Sequence, residues 1–141
     1  MEQAILDLDV SERVTLAGFQ TDVYPFLSKF HCLVVPSREE PWGLVAMEAM
    51  SAGVPVIAAD HGGLPEVLDE AALYFPLGDI ERLASQIRLL RDSPELGKNL
   101  RERGIARVHR FGLEPWLDRV EGFVQRVLGL PPHERLRSEG R

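Results

Sequence analysis

Residues 34–66 read VVPSREEPWGLVAMEAMSAGVPVIAADHGGLPE, and this stretch decides the fold. It belongs to an apolar run, Cys32-Leu33-Val34-Val35, that stops at Pro36, a residue unable to donate to a strand ladder. The polar loop Ser37-Arg38-Glu39-Glu40-Pro41-Trp42 follows, and Gly43 opens a helical stretch to about residue 52. A second apolar run at 54–58 leads through Gly62-Gly63 into a short helical segment at 64–68. Strand, polar turn and helix, repeated, describe a βαβ unit.

Working outward, two more runs read as strands, at 13–17 and 71–75. Apolar residues in all four runs are nearly continuous rather than alternating, as parallel strands covered on both faces require. A further helix is expected at about 22–29. The second half is helical. Ile80, Leu83, Ala84, Ile87 and Leu90 recur at helical spacing after Asp79, a good N-cap. Ser93-Pro94 then offers a cap followed by proline at the first helical position, for a polar helix to about residue 108. Leu113, Trp116, Leu117, Val120, Phe123, Val124 and Val127 form the strongest amphipathic stripe, with Gly112 as N-cap and Phe111 and Trp116 as a hydrophobic staple. The expected class is therefore α/β, a Rossmann-like parallel sheet over residues 1–130 with a helical C-terminal segment. The proline-led polar tail 131–141 is expected to be disordered.

Composition narrows the function. With 141 residues, 45% apolar and 27% charged, the chain reads as one soluble globular domain. Its net charge of −6 argues against nucleic acid and acidic membrane surfaces as partners, since both need a basic field. The single cysteine, Cys32, excludes an internal disulfide and reads as a small core residue in a reducing compartment. No apolar stretch approaches the ~18 residues of a membrane span. The acidic start, MEQAILDLDV, lacks a signal-peptide core. The expected location is the cytoplasm, with no membrane contact evident.

In open α/β sheets ligands bind at the carboxyl ends of strands, where the 36–43 loop lies. The first amides of the helix that follows, at Gly43, Leu44 and Val45, have no intrahelical acceptors and suit a phosphate. That helix is apolar nearly all round, so it is expected to be buried, with Glu48 in its middle. A buried carboxylate needs a donor, from a ligand or from a base such as Arg38. Glu40 either faces the same crevice or caps the helix. These residues alone leave both alternatives open.

The stretch resembles the nucleotide-sugar-binding motif of the group 1 glycosyltransferases, also called glycosyltransferase family 4. Two glutamates separated by seven residues match as Pro36-Ser37, Glu40-Pro41-Trp42-Gly43, Glu48-Ala49-Met50, Gly53 and Pro55-Val56. The family's glycine motif matches as Gly62-Gly63-Leu64-Pro65-Glu66, and Val14-Thr15-Leu16-Ala17-Gly18-Phe19 resembles the strand and turn of its base pocket. The resemblance covers about residues 13–127. It implies a GT-B type fold, two Rossmann-like domains facing across a cleft, and a retaining transfer of sugar from a nucleotide-sugar donor. Glu40 would be the catalytic-site residue on the donor sugar's hydroxyls and Glu48 would hold the ribose. The amides of Gly43, Leu44 and Val45 would face the diphosphate, with Gly18 and Phe19 bordering the base. Gly62 and Gly63 would allow close backbone approach at a neighbouring strand end, and Glu66 would brace that loop.

The resemblance also implies missing parts: an acceptor-binding N-terminal domain or partner chain, two opening strands, a catalytic-site histidine and a basic pair for the diphosphate. His31, His61, His109 and His133 do not match that histidine. The basic run Lys98, Arg101, Arg103, Arg107 and Arg110 reads as a solvated helix face. No cluster has metal-ligand spacing, and the family implies no metal and no cofactor beyond the donor itself. Without the two strands, 13–17 would lack a neighbour and 32–35 would become an open edge. The chain would then associate, pair those runs directly, or fold marginally. A non-catalytic nucleotide-sugar-binding module or an inactive truncated fragment is the alternative to a donor-binding half.

Overall fold

The computed structural model describes residues 2–129, so the tail expectation lies outside the described residues. Three strands form one parallel sheet: β1 (Leu33–Val35), β2 (Val56–Ala59) and β3 (Ala72–Phe75), in the order β1-β2-β3. The register sets Leu33 beside Val56, Val35 beside Ala58, and Ala59 beside Phe75. Among the described residues seven α-helices accompany them: α1 (Glu2–Asp7), α2 (Tyr24–Leu27), α3 (Leu44–Ser51), α4 (Leu64–Leu68), α5 (Ile80–Asp92), α6 (Pro94–His109) and α7 (Leu113–Leu128).

Strand β2 is fully buried, and its alternating side chains define two layers. Val56 and Ala58 join Ala46, Ala49 and Met50 of α3 with Leu64, Val67 and Leu68 of α4 on one face. Ile57, Ala59 and Phe75 pack with Leu83 and Leu90 of α5 on the other. This is why the apolar runs are continuous rather than alternating. Gln86 of α5, itself buried, donates to the Tyr74 carbonyl at 2.9 Å and ties that helix to β3. Helix α6 lies against α3 so closely that a Cβ on Gly104 would sit 3.0 Å from Met50 Cγ.

The caps match the sequence. Asp79 accepts from the Arg82 N–H at 2.8 Å, and Ser93 from the Leu96 N–H at 3.4 Å. Two expectations are corrected. The run 13–17 is not a strand: Ser11–Arg13 is a single 3₁₀ turn, and residues 14–20 are irregular. It has no partner strand, and without a ladder its backbone gains nothing from extending. It therefore does not pair with β1, whose other edge is open among the described residues. Helix α2 is one turn long rather than eight residues. Phe111 meets the ring of Trp42 edge-on. Helix α7 forms where expected but buries no residue, leaving its stripe exposed. Among the described residues no helix is long and apolar enough to cross a membrane.

Amide exchange should follow this arrangement. Val56–Ala59, paired on both sides and fully buried, should exchange slowest, Leu33–Val35 at an intermediate rate, and residues 14–20 within the dead time of a mixing experiment. Strong protection of residues 14–17 in a monomer would contradict the structure.

Candidate functional site

The three strands are parallel, so the loops after β1, β2 and β3 emerge at one end of the sheet. The first two meet. The Gly63 N–H donates to the Glu40 carbonyl at 3.0 Å. A Cβ on Gly63 would lie 2.1 Å from the Pro41 carbonyl oxygen, and one on Gly62 would lie 3.0 Å from that of Glu40. Glycine at both positions is thus a packing requirement, and Gly62 adds a φ of +64°.

Within the first loop, the Glu40 side chain turns back on its own helix. Its Oε1 accepts from the Gly43 N–H at 2.8 Å. Gly43, at φ +64°, turns the chain into α3, and its carbonyl accepts from Ala46 and Met47. A Cβ there would strike Leu64 Cδ2 at 2.7 Å. The amides of Leu44 and Val45 have no acceptor among the described residues. Glu40 Oε2 has no hydrogen-bond partner among them either.

Helix α3 buries Ala46, Ala49 and Met50 only. Leu44 is 70% exposed, and Val45 and Glu48 are exposed as well, which corrects the expectation of a helix buried all round. Its apolar content exceeds one face, and the residues Leu44, Val45 and Glu48 lie on the side left exposed. Glu48 therefore needs no buried partner, and Arg38 does not pair with it in an ion pair among the described residues. Gly18 and Phe19 lie in the irregular segment, Phe19 91% exposed, and no hydrogen bond or ring contact among the described residues joins them to the loops. The described residues contain no group of three or more His, Cys, Asp or Glu side chains that could hold a metal ion.

Sequence reasoning missed the residues behind the loop. Three arginines of α6 satisfy carbonyls at the ends of other elements; Arg101 and Arg103 keep the exposure expected of a solvated face, and Arg107 is largely covered. Arg101 Nε donates to the Gly53 carbonyl just after α3 at 2.7 Å. Arg103 donates to Glu70 at 3.3 Å. Arg107 donates from Nε to Val67 at 2.8 Å and from Nη2 to Glu66 at 2.6 Å, at the end of α4. Those carbonyls are the ones a helix end leaves unsatisfied. The Arg107 guanidinium also lies 5.2 Å from the centre of the Phe111 ring, which meets the Trp42 ring edge-on at 6.3 Å. The one hint in the sequence was a tryptophan inside an otherwise polar loop.

Residues 1–107 match the family described as "Glycosyl transferases group 1", and the chain belongs to that family. It is 39% identical over 102 residues to the lipopolysaccharide core biosynthesis glycosyltransferase LpsD of Rhizobium meliloti, covering 71% of this chain and 30% of that protein. It is 36% identical over 130 residues to the N-acetyl-α-D-glucosaminyl L-malate synthase of Bacillus anthracis, covering 89% and 34%. Among solved structures, sucrose-phosphate synthase of Thermosynechococcus elongatus superposes with a TM-score of 0.77 at 32% identity, over 91% of this chain and 33% of that one. HepE of Anabaena superposes at 0.79 with 24% identity, over 89% and 35%. The fold is thus an incomplete Rossmann-like C-terminal domain of the GT-B type, and the chain spans about a third of the length of these relatives.

Two outcomes follow for this assembly. Gly63→Ala should lower stability by about 2 kcal/mol or more, because carbonyl and Cβ cannot share the space and two backbones must part. Gly97→Ala in α6, where the nearest atom would be 3.6 Å away, should be neutral or stabilising by up to ~1 kcal/mol. Urea midpoints compare the two. Tyr74 donates its hydroxyl to the Asp69 carbonyl at 2.7 Å. Burial, reinforced by the Asp69 and Asp60 charges and opposed by Arg107, pushes its pKa up to about 12. The neutral phenol is favoured by folding, so its contribution is complete below pH ~10, the unfolded value, and is lost as pH rises towards about 12. Phenolate absorbance should show one tyrosine titrating late in the folded protein and normally in urea.

Proposed function

We propose that this chain is the donor-binding half of a retaining, metal-independent glycosyltransferase, holding a nucleotide sugar at the carboxyl end of its sheet. The observation that carries this reading is the start of α3. It offers the unoccupied amides of Leu44 and Val45 at a helix N-terminus, beside the exposed Glu48 and the second oxygen of Glu40. Amides and a helix dipole at one point favour a diphosphate, and they stabilise charge developing on a leaving diphosphate without a cation. Gly43 already donates to Glu40, so its amide orients that carboxylate while the next two meet the phosphates. Glu40 Oε2 then accepts from a hydroxyl of the sugar, and Glu48 from the ribose. Gly18 and Phe19 border the base, with Phe19 becoming covered only when ligand is bound. The acceptor, and the groups that complete catalysis, belong to a further domain or partner chain, so this chain alone binds donor without turnover. The relatives' names support the sugar-transfer class, and the HepE structure, in complex with UDP, supports a nucleotide-linked donor.

Calorimetric titration with a panel of nucleotide sugars tests this. Glu48→Gln keeps the shape but removes a charge-assisted acceptor, a bond of roughly 1.5–3 kcal/mol, so affinity should fall by about ten- to a hundredfold. Unchanged affinity for every donor would refute the ribose assignment. Turnover by the completed enzyme should persist in EDTA; activity lost to chelation and restored by magnesium or manganese would refute the metal-independent reading.

A further inference from the structure

Loop 40–43 holds its geometry through few bonds of its own. Glu40 caps Gly43, and Gly63 holds the Glu40 carbonyl, but Trp42 between them is 59% exposed. What fixes it comes from sixty-five residues down the chain, at the end of α6.

We propose that Arg107 is a positioning residue for the 40–43 loop, holding it from two sides at once. On one side its fork takes two carbonyls in the last turn of α4, Glu66 and Val67, and reaches the Asp69 carboxylate at 3.4 Å. Helix α4 is five residues long and begins beside Gly63, so fixing its end fixes the amide that holds Glu40. On the other side the same guanidinium lies on the Phe111 face, 5.2 Å from its centre, and Phe111 meets Trp42 at 6.3 Å with planes 81° apart. That is the edge-to-face arrangement in which aromatic pairs attract. The Arg107 side chain is only 17% exposed, so its fork is held in place by the groups around it. Lysine, a point charge without a planar fork, cannot make the two carbonyl bonds and the ring contact together.

The inference rests on the reading that this loop meets the donor, but the geometry it describes does not. Trp42 and Trp116 are the two tryptophans, so Trp116→Phe leaves Trp42 as a lone reporter. In that background Phe111→Leu removes the ring contact while leaving the Arg107 carbonyl bonds in place. Trp42 emission should shift to longer wavelength and its anisotropy should fall, with a melting temperature lower by only a few degrees. Phe111→Tyr should restore the parent signal. Arg107→Met should mobilise Trp42 at least as much. Donor affinity should fall about tenfold in Phe111→Leu and recover in Phe111→Tyr. Trp42 emission and anisotropy unchanged in Phe111→Leu would overturn the proposal, whether or not Arg107→Met folds. If Trp42 is mobilised as expected while the parent binds no nucleotide sugar, the positioning role stands and the donor reading falls.

Discussion

The close approach of Gly63 to the Glu40–Pro41 backbone is the contact on which the rest of this end of the molecule depends. The β1 and β2 loops leave adjacent parallel strands and would diverge as solvated turns if each carried side chains at the contact. With hydrogen at 62 and 63 they dock main chain on main chain, and the Glu40 carbonyl finds its donor there. The Glu40 side chain is then free to turn towards Gly43 and start α3. The same contact sets where α4 begins and hence where Leu64 sits under Gly43.

Helix α6 supplies the counterpart. Three of its arginines answer the unsatisfied carbonyls after α3, within and after α4, so the helix that follows the sheet closes the ends of those before it. Gly104 permits this by letting α6 lie on Met50. Arginine suits the task because its donors are fixed in one plane and it loses its charge at no working pH.

The order of elements was readable because it rests on local chemistry. Asp79 and Ser93 cap where the sequence places them, and α4 coincides with 64–68 because two glycines precede it, proline stands in its first turn, and acidic Asp69-Glu70 follow its apolar residues. Of the candidate site, the strand–turn–helix pattern placed the 36–43 loop and Gly43 at one sheet end, while the approach of Gly62 and Gly63 to it was legible only through the family resemblance. Non-local facts could not. Residues 13–17 have strand composition, yet a strand exists only with a partner, and composition does not reveal one. Glu48 lies in an apolar helix, but which side of that helix is covered depends on the neighbours it has, not on its own residues. The arginines of α6 look like a solvated face in sequence because their acceptors are carbonyls thirty to fifty residues away, and carbonyls leave no mark in the residue code.

A bond between two main chains does not read the side chains on either of them. The Gly63–Glu40 contact would form with any residue at position 40 whose backbone takes the same path. Residues pointing away from that seam, such as Leu44, Val45 and Glu48, can therefore change without disturbing the frame that presents them. A side chain at 62 or 63 would part the two loops, whereas a change at 44, 45 or 48 leaves that seam as it is, so a single frame can carry different contact residues.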